Sequence, residues 1–118
     1  MAKNQDCIFC KIAQGKIPAK KIKETDNFFA VYDKFPITKG HTLIIPKKHF
    51  VTVLDIPNSL GSELIKIIKD VASDLMDKKL GDGFNLVMNN LEPAGQAVMH
   101  AHIHIIPRKE KDGFKMIA

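Results

Sequence analysis

A single amphipathic helix among short strand-like segments limits the folds open to this chain. From Leu60 onwards apolar residues recur every three or four positions, and the pattern ends at Leu80 and Gly81. The sequence therefore predicts one long helix over about 59–80. Its apolar stripe is typical of a face that packs on a core, and it comprises Leu64, Ile67, Ile68, Val71 and Leu75.

Short β-branched and aromatic runs flank this helix on both sides. They predict strands over 27–33, 42–46, 84–89 and about 97–106, the last one stopped by Pro107. Near the start, IFCKIAQG predicts a short helix closed by Gly15, and Pro18 then turns the chain into an extended piece. The economical arrangement is an α+β fold, with an antiparallel sheet of about five strands and the long helix on one face.

The length and composition are typical of one globular domain. No repeat or linker divides the 118 residues, so we expect a single domain over 1–118 with short fraying ends outside about 5–110. No apolar run approaches the roughly 18 residues of a membrane span. The opening MAKNQDC also lacks the apolar stretch of a signal peptide, so we expect a cytoplasmic protein with no membrane partner.

The net charge of +5 raises the question of nucleic-acid binding. Of the 18 basic residues only Arg108 is an arginine, and the chain has no Trp and one Tyr. Base recognition favours the guanidinium fork and stacking requires aromatic rings, so this composition predicts no nucleic-acid partner. A lysine-rich surface around a site for a small anion fits the charge equally well.

Three alternating histidines carry the strongest functional signal. In HAHIHII a pleated strand would point His100, His102 and His104 to one face and the intervening apolar side chains to the other. Burying three imidazoles is costly unless each is hydrogen-bonded or bound to a metal, which favours a functional site. The spacing fits either a metal ion or a nucleophilic imidazole with acid–base neighbours.

The loop before these histidines favours an anionic ligand. It contains the amides of Asn89, Asn90 and Gln96 together with Gly95. Amide donors on a flexible backbone suit a phosphate oxyanion better than they suit a metal.

With these motifs in place, the chain resembles the histidine triad (HIT) family, whose defining motif is His-x-His-x-His followed by two apolar residues. The likeness covers nearly the whole chain, through CIFCKIAQGKIPA, GHTLIIPKKH, the long helix and AGQAVMHAHIHIIPR. The chain is similar both to the Hint branch of this family and to its prokaryotic members. The resemblance implies a HIT-like fold and a homodimer.

The resemblance also implies roles for the triad histidines. His102 would attack the α-phosphorus of a purine nucleotide and form a covalent nucleotidyl-histidine that water then cleaves. His104 would act near the leaving atom, and His100 would orient the middle ring. Gln96 and Asn89 match amides that contact the phosphate.

Other positions would bind the nucleoside. Asp33 matches the acidic residue that holds the ribose hydroxyls. His41 matches a histidine near the site and is given a supporting role. Ala97 stands where Hint members commonly have a serine or threonine, which puts the contact with the leaving group in doubt. The base would lie in an apolar cleft of Ile8, Phe9, Ile12, Tyr32 and Leu43.

The pair Cys7 and Cys10 forms one CxxC motif. A redox role would need a thioredoxin-like strand before it, and a disulfide is not expected in the cytoplasm. Some prokaryotic members with this CxxC, and a related transferase branch, hold zinc with the histidine after IPKK and the first triad histidine. The resemblance thus implies structural zinc on Cys7, Cys10, His49 and His100, with free buried thiols as the alternative.

We therefore expect a phosphoramidase or dinucleoside polyphosphate hydrolase of the histidine triad type. Two other functions stay open at this point. One is a metal-dependent hydrolase with a catalytic three-histidine site. The other is a module that binds nucleotides without turnover.

Overall fold

A five-stranded antiparallel sheet forms the centre of this computed structural model, which describes residues 6–113. Residues 1–5 and 114–118, the ends of the predicted domain 1–118, lie outside the described residues. The elements are α1 (Ile8–Ala13), β1 (Lys23–Glu24), β2 (Phe28–Tyr32), β3 (Thr42–Pro46), α2 (Gly61–Asp77), β4 (Gly83–Val87) and β5 (Ile103–Arg108). The strand order is β1-β2-β3-β5-β4, which confirms the predicted α+β class.

The alternation of side chains divides the sheet into two faces. One face packs against the predicted apolar stripe of α2 and includes Phe28, Ile44 and Ile105. The opposite face carries Phe29 and Ile45 and is covered in part by α1. No helix within residues 6–113 has the length and apolarity needed to cross a membrane.

The last strand differs from its prediction over about 97–106. It begins at Ile103 and runs through Pro107 to Arg108. The preceding segment is held by a loop, because the Ala101 amide donates to the Phe50 carbonyl at 2.6 Å. Pro107 is tolerated because β3 pairs with β5 only as far as Ile105, so no amide is needed on that side.

The long helix is shorter than predicted at both ends. Residues Asn58–Leu60 form a separate 3₁₀ turn, and α2 starts at Gly61. In its first turn Glu63 accepts hydrogen bonds from the Thr25 hydroxyl at 2.6 Å and the Asn27 amide at 2.7 Å. This carboxylate ties the start of the helix to the turn between β1 and β2.

The helix ends in a Schellman motif. The Leu80 amide donates to the Leu75 carbonyl at 3.1 Å, and the Lys79 amide donates to the Met76 carbonyl at 2.9 Å. The motif requires a left-handed residue, and here Lys79 takes that conformation with φ 58°. The glycine that the sequence offered as the stop, Gly81, lies two residues further on.

Replacing Lys79 with glycine should therefore stabilise the protein. A side chain in the left-handed region is strained, so we expect Lys79→Gly to raise the free energy of unfolding by about 1 kcal/mol. The neighbouring Lys78 has φ −78°, so Lys78→Gly should lower it instead. Urea unfolding of both variants checks this, and equal effects at the two positions would contradict it.

Candidate functional site

The triad histidines, His100, His102 and His104, lie on the α1 face of the sheet. His104 sits within β5 opposite Leu43 of β3, while His100 and His102 precede the strand. The rings of His102 and His104 are adjacent, with centroids 5.1 Å apart. Phe9 of α1 meets the His102 ring edge-on at 5.1 Å. The two later histidines thus share one site, as the alternation predicted.

His102 is held in the form that a nucleophile needs. Its Nδ1 lies 2.7 Å from the backbone carbonyl oxygen of His100. A carbonyl only accepts hydrogen bonds, so Nδ1 carries the hydrogen and Nε2 keeps its lone pair. His102 is 8% exposed, which limits competition by water for that lone pair. The arrangement can therefore present the Nε2 lone pair to an electrophile.

His104 belongs to a hydrogen-bond chain with His41. The Ile37 amide donates to Nδ1 of His41 at 3.0 Å, so the hydrogen of neutral His41 is on Nε2. That Nε2 lies 2.9 Å from Nδ1 of His104. When His41 donates across this contact, His104 accepts at Nδ1 and keeps its own hydrogen on Nε2. Nε2 of His104 is then a hydrogen-bond donor in the site that it shares with His102.

Burial favours the neutral form of both His41 and His104 near pH 7. Desolvation lowers the pKa of His41, although the charge of Asp33 opposes the shift. Desolvation also lowers the pKa of His104 to about 4, with further lowering by His102 and His41. The resemblance implied only a supporting role for His41. Its diagonal contact with His104 depends on the register of β3 with β5, which the sequence does not reveal.

Asp33 completes this cluster at the end of β2. Its Oδ1 accepts from the Phe35 amide at 2.9 Å. Its Oδ2 lies 3.4 Å from Nε2 of His41 and 3.9 Å from Nδ1 of His104. The separations would suit a metal ion, but the bond from Ile37 to Nδ1 of His41 leaves no lone pair on Nε2 of the neutral ring. The geometry therefore favours a hydrogen-bond chain over a metal site.

A second cluster combines both cysteines with two histidines. Nδ1 of His100 lies 3.2 Å from Sγ of Cys7 and 3.5 Å from Sγ of Cys10. Nδ1 of His49 lies 3.2 Å from Sγ of Cys10. The four ligand atoms all lie within 4.8 Å of one another. The structure thus brings together the whole predicted zinc set, from α1, the loop after β3 and the segment before β5.

The chemistry of this cluster fits zinc. Tetrahedral zinc with two sulfur and two nitrogen ligands separates its ligand atoms by about 3.3–3.8 Å, close to the distances found here. Nε2 of His100 lies 2.7 Å from the Pro46 carbonyl, to which it donates, so the Nδ1 lone pair faces the sulfurs. Burial first, and Cys7 next, raise the pKa of Cys10 to about 11, so metal binding must displace its proton.

A catalytic ion held by all three triad histidines does not fit the structure. The His100 ring is directed to the cysteines, and Nδ1 of His102 is bonded to a carbonyl. Within residues 6–113, two groups of side chains are close enough to hold a metal, and neither contains the three triad histidines together.

The predicted apolar cleft is only partly assembled on this face. Phe9 and Leu43 are buried in one cluster, and Ile12 packs against it. Ile8 is 47% exposed at the start of α1. Tyr32 lies on the same face of β2 as Phe28 and Ala30, which pack against α2, so the strand points it away from the α1 face.

One further cleft residue, Val31, was missed. It is buried with Phe9 and Leu43. The alternation of β2, in which residue 31 shares a face with residue 33, could have identified it.

The loop before the triad is braced by Gln96. Its buried side chain accepts from the Leu91 amide at 2.6 Å and donates to the Val51 carbonyl at 2.6 Å. Both ends of the amide are thus engaged within the protein. Asn89 donates to the Gly95 carbonyl at 3.4 Å, and Ala97 is exposed.

Comparison with known proteins supports one family. The model of the HIT domain matches residues 14–111. An uncharacterized HIT-like protein of Methanocaldococcus jannaschii is 49% identical over 91% of this chain and 82% of its own length. The adenosine 5′-monophosphoramidase HNT1 of Candida albicans is 37% identical over 94% of this chain and 76% of its own. The adenylylsulfatase HINT3 of Arabidopsis thaliana is 41% identical over 91% of this chain, which spans only 54% of that protein.

Solved structures share the fold. A HIT family member from Bacillus subtilis superposes with a TM-score of 0.88 at 41% identity, covering 96% of this chain and 81% of that one. A zinc-bound histidine triad protein from Mycobacterium smegmatis gives a TM-score of 0.87 at 34% identity, covering 97% and 83%.

Acid should destabilise the metal-free protein through its buried histidines. Burial lowers the pKa of His100 and His104 to about 4, against about 6.5 in an unfolded chain. The unfolded chain then binds more protons between these values, so the free energy of unfolding falls as the pH drops from about 6.5 to about 4. Urea unfolding across this range with a chelator measures the slope. His104→Asn should reduce the slope, and an unchanged slope would contradict the assignment.

Proposed function

Because this chain belongs to the HIT domain family, we propose that it is a nucleotide hydrolase or transferase that cleaves a purine nucleotide at its α-phosphate. The observation that carries the proposal is the buried His102, whose Nδ1–H is bonded to a carbonyl and whose Nε2 is free to attack. The names of two relatives, an adenylylsulfatase and an adenosine 5′-monophosphoramidase, support an adenylyl compound as substrate.

In the first proposed step, Nε2 of His102 attacks the α-phosphorus. The nitrogen–phosphorus bond forms with the imidazole lone pair, and the bond to the leaving group breaks with its electron pair going to the leaving atom. The leaving atom takes up one proton from solvent, delivered through Nε2–H of His104. The Nδ1–H of His102 remains hydrogen-bonded to the His100 carbonyl oxygen, and this bond stabilises the positive charge of the ring.

In the second step, water attacks the same phosphorus. The nitrogen–phosphorus bond breaks, its electron pair returns to Nε2 of His102, and one proton returns to solvent by the same path. The sum is substrate plus water giving a nucleoside monophosphate and the protonated leaving group. If another nucleophile attacked in place of water and accepted the nucleotidyl group, the protein would act as a transferase.

Substrate recognition follows from the residues around these atoms. We propose that Asp33 accepts hydrogen bonds from the ribose hydroxyls and that the base lies against Ile12 and the Phe9, Val31 and Leu43 cluster. Ile8 and Tyr32 are exposed and would contribute only at the margin. Asn89 would contact the phosphate beside Ala97, and Gln96 would support that contact by holding the loop.

Removing the nucleophile tests this function. We expect His102→Ala to lower kcat for adenosine 5′-phosphoramidate by roughly a thousand-fold or more, because alanine has no side-chain nitrogen to attack the phosphorus. Lys79→Gly, a substitution at an exposed position, is the control for expression and purification, and it should keep the parent rate. Turnover is measured by release of AMP, and substantial activity in His102→Ala would contradict the proposal.

We also propose that the four-ligand cluster holds structural zinc. Cys7, Cys10, His49 and His100 would complete its coordination and leave no position for a catalytic water. The zinc-bound relative from Mycobacterium smegmatis supports this. When bound, zinc would tie α1 to the segment that carries the nucleophile.

Loss of one ligand should release the metal. We expect Cys10→Ser to lose zinc and to melt lower by roughly 5 °C or more, whereas exposed Lys48→Ala should keep both metal and stability. Native mass spectrometry and thermal unfolding measure the two effects. A Cys10→Ser protein that keeps bound zinc and the stability of the parent would contradict the zinc site. Immediate loss of turnover when a chelator is added to protein that stays folded would instead favour the catalytic-metal alternative.

The chain is proposed to act as a homodimer. β4 lies at the edge of the sheet, and its side chains Phe84 and Leu86 are 42% and 51% exposed. An apolar edge strand is suited to pairing with another copy. The single domain over 1–118, the cytoplasmic location and the absence of a nucleic-acid partner stay predictions from the sequence.

A further inference from the structure

We infer that Asp33 couples recognition of the ribose to the hydrogen-bond state of His104, so that the sugar hydroxyls raise kcat and not only affinity. Asp33 is thereby a positioning residue as well as a binding residue. The inference rests on the proposed function, which supplies the reaction and the ribose at Asp33.

The coupling arises because His41 has one hydrogen and two acceptors. Its Nδ1 is occupied by the Ile37 amide, so only the Nε2 hydrogen can be shared. Nδ1 of His104 lies 2.9 Å from that nitrogen, and Oδ2 of Asp33 lies 3.4 Å from it. The nearer acceptor is neutral, and the more distant one is charged and thus stronger at equal distance.

The choice of acceptor decides what His104 can do. If His41 donates to His104, the His104 hydrogen stays on Nε2, where it can assist the leaving atom. If His41 donates to Asp33, Nδ1 of His104 is released to carry the hydrogen, and it too lies within 3.9 Å of Oδ2. Nε2 of His104 is then bare and cannot donate.

The orientation of the Asp33 carboxylate is fixed by two hydrogen bonds. Its Oδ1 is held by the Phe35 amide, and its own amide donates to the His41 carbonyl at 2.8 Å. Oδ2 therefore remains directed to the two imidazoles. Ribose hydroxyls that donate to this carboxylate would occupy its lone pairs and weaken it as an acceptor for His41. The bound sugar would thus shift the His41 hydrogen to His104 and select the donor form.

Paired substrates test the coupling without altering the protein. Adenosine 5′-phosphoramidate and its 2′,3′-dideoxy analogue have an amine leaving group that needs a proton. The p-nitrophenyl esters of AMP and of 2′,3′-dideoxy-AMP have a leaving group that departs as a stable anion. Loss of the hydroxyls should raise KM in both series. It should lower kcat by roughly ten-fold or more for the phosphoramidate, and by less than about three-fold for the ester.

A spectroscopic measurement reports the same coupling without turnover. In ¹⁵N-histidine protein bound to AMP, His104 should show an unprotonated Nδ1 and a protonated Nε2. Bound to 2′,3′-dideoxy-AMP, the two nitrogens should shift toward a mixture of tautomers. Identical ¹⁵N shifts of His104 in the two complexes would overturn the inference.

A variant separates Asp33 from the rest of the site. In Asp33→Asn the charge is gone, so the kcat ratio of ribose to dideoxy phosphoramidate should fall to about one. Exposed Asp26→Asn should keep the parent ratio. A ribose effect confined to KM, or equal kcat effects for both leaving groups, would overturn the inference while leaving the proposed function intact. Absence of turnover with every adenylyl substrate would instead remove the proposed function on which the inference rests.

Discussion

The site depends on the hydrogen bond from Nδ1 of His102 to the backbone carbonyl of His100, at 2.7 Å. This bond assigns the tautomer of the neutral His102 ring and leaves Nε2 as the nitrogen that we propose attacks the substrate. The carbonyl is itself held in place, because the His100 ring is fixed between the cysteine sulfurs and the Pro46 carbonyl. One residue therefore belongs to the proposed zinc site through its side chain and holds the proposed nucleophile through its backbone.

The pairing of β3 with β5 brings His41 next to His104. Leu43 lies opposite His104, which brings His41 diagonally across from the same histidine. Gly40, which precedes His41, has φ +91°, a left-handed conformation that strains other residues, and a Cβ there would lie 2.9 Å from Cδ1 of Leu80. Asp33 directly after β2, His41 directly before β3 and His104 within β5 thus meet at one site.

Local patterns were enough to predict both helices and the strands β2 to β5, and to single out the triad histidines as a candidate site. They could not predict where the last strand begins, because the segment before Ile103 is fixed by the distant Phe50 carbonyl. Alternation correctly grouped the triad on one face, yet the rings divide between two clusters because His100 meets the cysteines of α1. The contact of His41 with His104 depends on strand register, which a single sequence does not state.

The proposed function depends on a covalent bond between His102 and the α-phosphorus. Rapid acid-free quenching during turnover of an adenylyl substrate, followed by intact mass spectrometry and peptide mapping, examines this bond directly. We expect a transient mass increase of one nucleoside monophosphate, AMP, on the peptide that contains His102, labile in acid as a phosphorus–nitrogen bond is. Product formation with no adduct at any time, or an adduct on another side chain, would contradict it.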